Sequence, residues 1–232
     1  MLSNEIIWFA EIAIVLGSSI LAFRIFGKYG LYTVVVTTTI VCNLQVVKLV
    51  ELFGLTATLG NVVYGASFFA TDLLSELYGK KEAQKAVWLG FTSLLLTTIW
   101  MQISLWYRAS AADLADPHLK SIFTLMPRIA IGSLSAYLVS QHHDVWAYHM
   151  WKKLTKNRHL WLRNNLSTMV SQAIDTLVFC IIAFLGIYNA KTFTSIVFTT
   201  YVLKWLVAVC DTPFIYLAVR ISKVKSSEQE LC

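Results

Sequence analysis

Ionisable and amide side chains recur inside otherwise apolar stretches of this sequence, and their spacing gathers them onto shared faces. Asp72 and Glu76 are four residues apart. Gln172 and Asp175 are three apart with Ser171 four before Asp175, and Lys204 lies seven before Asp211 with Tyr201 three before Lys204. Side chains at such intervals stack along one side of a helix. A further apolar stretch carries Asn43, Gln45, Lys48 and Glu51, another carries Arg128, and Glu11 stands in the first. Carboxylates beside amides can hydrogen-bond a flat heterocycle at both its donor and its acceptor edges, and the adjacent N–H groups of a guanine-like edge match a carboxylate held in their plane. Tyr64, Phe68, Phe69 and Tyr201 offer stacking faces, a role weighed against ordinary packing in a helical bundle.

These groups sit where water is scarce. The 232 residues are 57% hydrophobic and 14% charged, with mean hydropathy +0.63, whereas roughly a quarter of the residues in a soluble domain are charged. A helix needs about 20 residues to cross the hydrocarbon. Seven stretches approach that length: Ile6 to Phe26, Leu31 to Leu52, Leu59 to Tyr78, Ala86 to Tyr107, Ile122 to Ser140, Leu166 to Ile187 and Phe193 to Val219. The expected fold is therefore an all-α polytopic bundle of about seven transmembrane helices, forming a single transmembrane domain over residues 1–232. The first stretch reads as a true span, since it lacks a basic leader and is too long for a signal core.

Lys and Arg concentrate in alternate connections: Arg24 and Lys28; Lys80, Lys81 and Lys85; Lys152, Lys153, Lys156, Arg158 and Arg163; Arg220, Lys223 and Lys225. Arg108, Lys120 and Lys191 fall on the other side. The positive-inside rule then predicts an outside N-terminus and a cytoplasmic C-terminus. The net charge of +6 is thus topogenic and does not point to nucleic acid. The connection 141–165 mixes Trp146, Tyr148, Trp151, Lys152 and Lys153 and is expected to lie along the acidic inner leaflet. Trp100, Trp106, Tyr107, Trp161 and Tyr188 suit the membrane interfaces.

Charges at membrane depth are costly, and mutual pairing alone recovers little of that cost. Lys48, Arg128 and Lys204 set against Asp72, Glu76, Asp175 and Asp211 therefore suggest a wet interior cavity for a polar solute. Competing chemistries find little footing. His142, His143, Asp144 and His149 form no tetrahedral set, so no metal and no cofactor is expected. HExxH, GxSxG and GxxxxGK[ST] motifs are absent, which argues against a hydrolase and against ATP hydrolysis by this chain. Cys42, Cys180, Cys210 and Cys232 are expected as free thiols.

The run Asn43-Leu-Gln-Val-Val-Lys48 to Gly54, followed by Ala70-Thr-Asp-Leu-Leu-Ser-Glu-Leu-Tyr-Gly-Lys-Lys-Glu-Ala83, resembles the queuosine-precursor transporter family, also described as vitamin-uptake-like. Arg128-Ile-Ala-Ile-Gly-Ser-Leu-Ser-Ala-Tyr137, Ser140-Gln-His-His-Asp-Val145 and Ser171-Gln-Ala-Ile-Asp-Thr176 look like its later motifs, in order. The resemblance runs from about Thr37 to Phe214. It implies a multi-pass inner-membrane importer of 7-deazaguanine bases, precursors or salvage forms of queuosine for tRNA modification. Carried onto this chain, it implies a substrate site of Asn43, Lys48, Asp72, Glu76, Arg128, Gln172, Asp175 and Lys204, with Gln45, Tyr201 and Asp211 ranked below them. Asp72 or Asp175 would accept from the base N–H edge, Gln172 and Asn43 would read its carbonyl and ring nitrogens, and Glu76 would assist release or carry a proton. The first span departs from the six-helix description of such proteins. A substrate-binding subunit energised by a separate ATPase module, and a carrier of another small polar heterocycle, stay open as alternatives. The sequence leaves room for a homodimer and requires none.

Overall fold

The computed structural model describes the backbone of residues 3–154 and 160–229, with side-chain surroundings for 3–140, 143, 150, 169–207 and most of 209–221. Its helices are α1 (Asn4–Phe26), α2 (Lys28–Gln45), α3 (Asn61–Tyr78), α4 (Lys80–Ser104), α5 (Asp116–Phe123), α6 (Met126–Leu154), α7 (Leu160–Phe184) and α8 (Ala190–Gln229), with a hairpin of β1 (Leu49–Leu52) and β2 (Leu55–Thr58) between α2 and α3. The protein is a helical membrane bundle. Among the described residues four helical stretches, Asn4–Phe26, Lys80–Ser104, Asp116–Ser140 and Ala190–Ala218, are long and apolar enough to cross a bilayer, and Met169–Phe184 is a shorter apolar helix.

Burial separates the helices into an outer set and an inner one. On α4, alternate turns show Trp88, Ile99 and Trp100 outward, as lipid-facing surfaces do. On α3, Ala66, Phe69, Ala70, Leu73 and Leu74 are fully enclosed, so this helix is central. It packs against α2, α4, α8 and α1, and its small residues let neighbouring backbones approach. The main core joins Trp8, Leu16 and Phe23 of α1, Leu31 and Val35 of α2, Phe69 and Leu73 of α3, and Leu203 and Val207 of α8. A second cluster joins Ile129 of α6, Cys180 and Phe184 of α7, and Ile196 of α8.

The expected continuous helix from Leu31 to Leu52 is corrected by the structure. The helix stops at Gln45, the Lys48 amide turns back to the Gln45 carbonyl at 2.9 Å, and Leu49–Leu52 pairs antiparallel with Leu55–Thr58. The physical reason lies in Leu-Val-Glu-Leu-Phe-Gly-Leu-Thr-Ala-Thr: two four-residue segments carrying the β-branched Val50, Thr56 and Thr58 flank a two-residue turn at Phe53-Gly54. Both turn residues have positive φ, 53° and 75°, the twist that a two-residue hairpin needs. Lys48 and Glu51 accordingly leave the transmembrane helix. The hairpin is tied down on two sides. The Asn4 amide donates to the Glu51 carbonyl at 2.9 Å and the Phe53 N–H donates to Glu5 Oε1 at 3.1 Å. From α8, Ser195 and Thr199 hydroxyls both donate to the Thr56 carbonyl at 3.0 Å.

The stretch Ile122 to Ser140 is also interrupted. α5 ends at Phe123 and α6 begins at Met126 with Pro127 beside it, a position where a missing N–H costs nothing. The connection expected along the inner leaflet is largely helix: α6 continues to Leu154 and α7 resumes at Leu160. The side chains of His142, Asp144, Trp146, Tyr148, His149, Trp151, Lys152, Lys153 and Trp161 lie outside the described residues.

Candidate functional site

A cavity enclosing about 870 Å³ of atom-free space, its open mouth included, lies where α2, α3, α4, α6, α7 and α8 converge. Its wall is mostly apolar with a few polar groups aimed inward, the usual make-up of a small-molecule site. Asn43, Tyr64, Phe68, Phe91, Ser133, Tyr137, Asp175, Thr200 and Lys204 all line it.

Two helices bring together its charged centre. Asp175 lies on α7 and Lys204 on α8, and Lys204 Nζ meets Asp175 Oδ2 at 2.5 Å. The two side chains are only 8% and 10% exposed, so the pair is held out of bulk water and neither charge is tolerable without the other. The second carboxylate oxygen has weaker company: the Ser140 hydroxyl donates to Asp175 Oδ1 at 3.4 Å. Lys204 Nζ also stands 4.9 Å from the centre of the Tyr64 ring, where the negative face of the ring attracts a cation. Nearby, His143 Nδ1 and Ser171 Oγ approach to 3.1 Å and link α6 to α7.

A second polar point is made by α2 and α6. The Asn43 amide donates to the Thr39 carbonyl at 2.7 Å, and its Oδ1 accepts from the Ser133 hydroxyl at 2.6 Å. The Asn43 amide also donates to Cys42 Sγ at 3.4 Å, so its plane is fixed with both donors engaged, while one Oδ1 lone pair stays available to a solute. Thr200, one turn before Lys204, has a buried hydroxyl without a hydrogen-bond partner among the described residues. Aromatic rings frame these groups. Tyr64 and Phe68 meet edge-to-face at 4.8 Å, and Phe91 and Tyr137 lie 5.0 Å apart from two other helices. Flat walls and polar points together suit a planar solute with hydrogen-bonding edges.

The hairpin shapes one end of the cavity through Thr58, Leu59, Gly60 and Asn61. Gly60 has φ of 93°, and a Cβ there would sit 2.6 Å from the Cys42 carbonyl oxygen. Only glycine permits this close return of the chain onto α2.

Of the residues expected from sequence, Asn43, Asp175 and Lys204 come together on this wall. The others lie elsewhere. Arg128 donates from Nε to the Ile182 carbonyl and from Nη2 to the Leu185 carbonyl, both at 2.8 Å, and so satisfies the acceptors left open at the end of α7. Lys48 is exposed in the turn before the hairpin, and Glu76 is exposed in the last turns of α3. Asp72, exposed on α3, lies within electrostatic reach of Asp211, which is buried on α8. Gln172 and Gln45 each bury a carbonyl oxygen without a hydrogen-bond partner among the described residues, away from the cavity wall. The Tyr201 hydroxyl donates to the Met169 carbonyl at 3.4 Å. Phe69 is wholly buried in the main core, whereas Tyr64 and Phe68 face the cavity. Ser133, Tyr137, Phe91 and Thr200 are wall residues that the sequence argument did not single out. Ser133 and Tyr137, four apart on α6, carried the same helical spacing as the charged residues.

Comparison with known proteins follows the same line. A family model described as "Putative vitamin uptake transporter" matches residues 58–218. A Bacillus subtilis (strain 168) protein named "Probable queuosine precursor transporter" is 48% identical over 200 residues, covering 86% of this chain and 87% of the relative. The "Queuosine precursor transporter" of Escherichia coli (strain K12) is 28% identical over 163 residues, covering 69% and 71%. No solved structure matches the chain.

Proposed function

This chain belongs to the vitamin uptake transporter family, and from that premise we propose that it imports 7-deazaguanine precursors of queuosine through the Asp175–Lys204 cavity. The observation that carries the proposal is the open side of Asp175. Lys204 engages Oδ2 closely, whereas among the described residues Oδ1 has a single contact, from Ser140 at 3.4 Å, so a donor edge entering the cavity finds a carboxylate oxygen able to accept. The N–H edge of a guanine-type base would donate there. The Thr200 hydroxyl, without a partner among the described residues, would donate to its carbonyl or a ring nitrogen, and the open lone pair of Asn43 Oδ1 would accept from a ring N–H, while Tyr64, Phe68, Phe91 and Tyr137 enclose the ring faces.

On this reading the chain catalyses no chemical step; it binds, reorients and releases. It forms one membrane domain in the inner membrane, with the N-terminus outside and the C-terminus in the cytoplasm, so that the basic end of α1, the start of α4 and the basic last part of α8 face the negative interior. Proteoliposomes containing only the purified chain and loaded from outside with radiolabelled 7-deazaguanine test the reading. Saturable uptake that Asp175→Asn abolishes, with helicity retained, is expected. Uptake appearing only when an ATPase-containing membrane extract is supplied would instead make the chain a binding subunit. Absence of both uptake and binding, with and without the extract, overturns the proposal.

A further inference from the structure

An ammonium ion is recognised inside a protein by a carboxylate at contact distance, an aromatic face beneath it and exclusion of water. The cavity has all three, and a side chain of the protein already fills them. Lys204 Nζ rests 2.5 Å from Asp175 Oδ2 and 4.9 Å from the centre of the Tyr64 ring, with the lysine side chain 10% exposed. We propose that Lys204 is a tethered internal cation occupying an ammonium subsite of the cavity, and that it thereby sets how the transporter discriminates charged from uncharged solutes. The inference rests on the cavity being the solute site.

Two features make the lysine a competitor and not only a structural partner. Its charge is a compact point on a four-carbon stem with freely rotating bonds, so the head can leave Asp175 without moving the helix. The carboxylate, in contrast, is anchored on a neighbouring helix and has a second oxygen turned to Ser140 at 3.4 Å. An uncharged solute can donate to that oxygen while Lys204 stays where it is. A solute carrying a primary ammonium must either settle a few ångströms from Nζ, against like-charge repulsion in a poorly screened site, or evict it. The cost of binding a cation therefore resides in Lys204. Asn43 and Thr200 bear no charge and add none to this discrimination.

The test is the affinity ratio between 7-deazaguanine bearing an aminomethyl group on its five-membered ring and the hydroxymethyl counterpart of equal shape, measured on the purified full chain in nanodiscs. Lys204→Met is expected to raise the amine-to-alcohol ratio at least tenfold over wild type, and Lys204→Arg, which keeps a cation, to leave it within about threefold. An unchanged or lower ratio in Lys204→Met overturns the proposal. If Lys204→Met does not purify as a folded protein, Lys204→Gln is read the same way. Should neither deazaguanine bind the wild-type chain, the purine reading fails on its own, and benzylammonium against benzyl alcohol still decides this point. Thermal stabilisation of Lys204→Met by benzylammonium alone is expected, whereas equal responses, or none, refute the ammonium subsite.

Discussion

The contact that keeps Lys204 above Tyr64 is a backbone crossing one residue away. A Cβ added to Gly65 of α3 would stand 2.2 Å from Val207 Cγ1 and 3.3 Å from Val207 Cβ on α8. Gly65→Ala therefore gains helix propensity, roughly 1 kcal/mol, but drives a methyl into a buried valine. Val207 is 1% exposed, and a β-branched side chain in a helix has essentially one favoured rotamer, so the strain passes to the two backbones. Overpacking of this kind costs about 1 to 3 kcal/mol, which exceeds the propensity gain over most of its range. We expect a net loss centred near 1 kcal/mol and reaching about 2, or roughly 2 to 4 °C at the centre for a chain of this size. Uptake should fall further than stability, because separating α3 from α8 draws Tyr64 away from Lys204. Val207→Ala alone leaves a void and destabilises by a comparable amount. In the double variant the new methyl of residue 65 enters that void, giving a favourable coupling of about 1 to 3 kcal/mol. The assays are thermal unfolding in detergent and proteoliposome uptake of all four proteins. Additive effects, or a Gly65→Ala protein as stable and active as wild type, would refute the close crossing of α3 and α8.

The buried pair yields a second expectation. Asp175→Asn strands an ammonium in a site of low accessibility and should destabilise by about 3 to 5 kcal/mol, whereas Asp175→Asn combined with Lys204→Met removes both charges and should return most of it; chemical denaturation measures the return, and uptake should stay lost in both. Arg128→Gln abandons the Ile182 and Leu185 carbonyls at the end of α7, and hydrogen bonds from a charged donor contribute a net of about 1.5 to 3 kcal/mol each, the low end applying to an exposed side chain. Its melting temperature should drop while solute affinity per folded molecule is unchanged; a weakened affinity at full stability would instead put Arg128 in contact with solute.

How far the site was legible follows from the type of signal involved. Charges inside apolar stretches stand out because a bilayer penalises them, so Asp175 and Lys204 could be picked from composition and spacing alone. Their partnership could not. Four acids and three bases on five stretches permit many pairings, and the choice depends on which helices are neighbours, a matter of packing between residues far apart in sequence. Arg128 shows the same limit in another form: an arginine among apolar residues reads as a solute contact, and the exposed carbonyls that it caps become visible only once α6 lies beside α7. The hairpin was legible in principle, since Phe53-Gly54 between two β-prone tetrapeptides is a turn signal. Hydrophobic length outweighed it, because a 22-residue apolar run from Leu31 to Leu52 satisfies a transmembrane helix as well as it satisfies a helix followed by a strand.

By itself the sequence determined that the chain is a helical membrane bundle, where most of its helices run, and that a polar interior must exist. Those properties depend on local hydropathy, on the backbone's need for internal hydrogen bonds in lipid and on the cost of an unpaired charge, all of which act residue by residue. Tertiary structure decided that Lys204 meets Asp175 over Tyr64, that Thr200 and Ser133 join the cavity wall, and that the chain folds back at Gly60 to close one end. Each of these is a meeting of surfaces from separate helices, set by the close packing of small residues such as Gly65 against α8, and no single stretch of sequence carries that information.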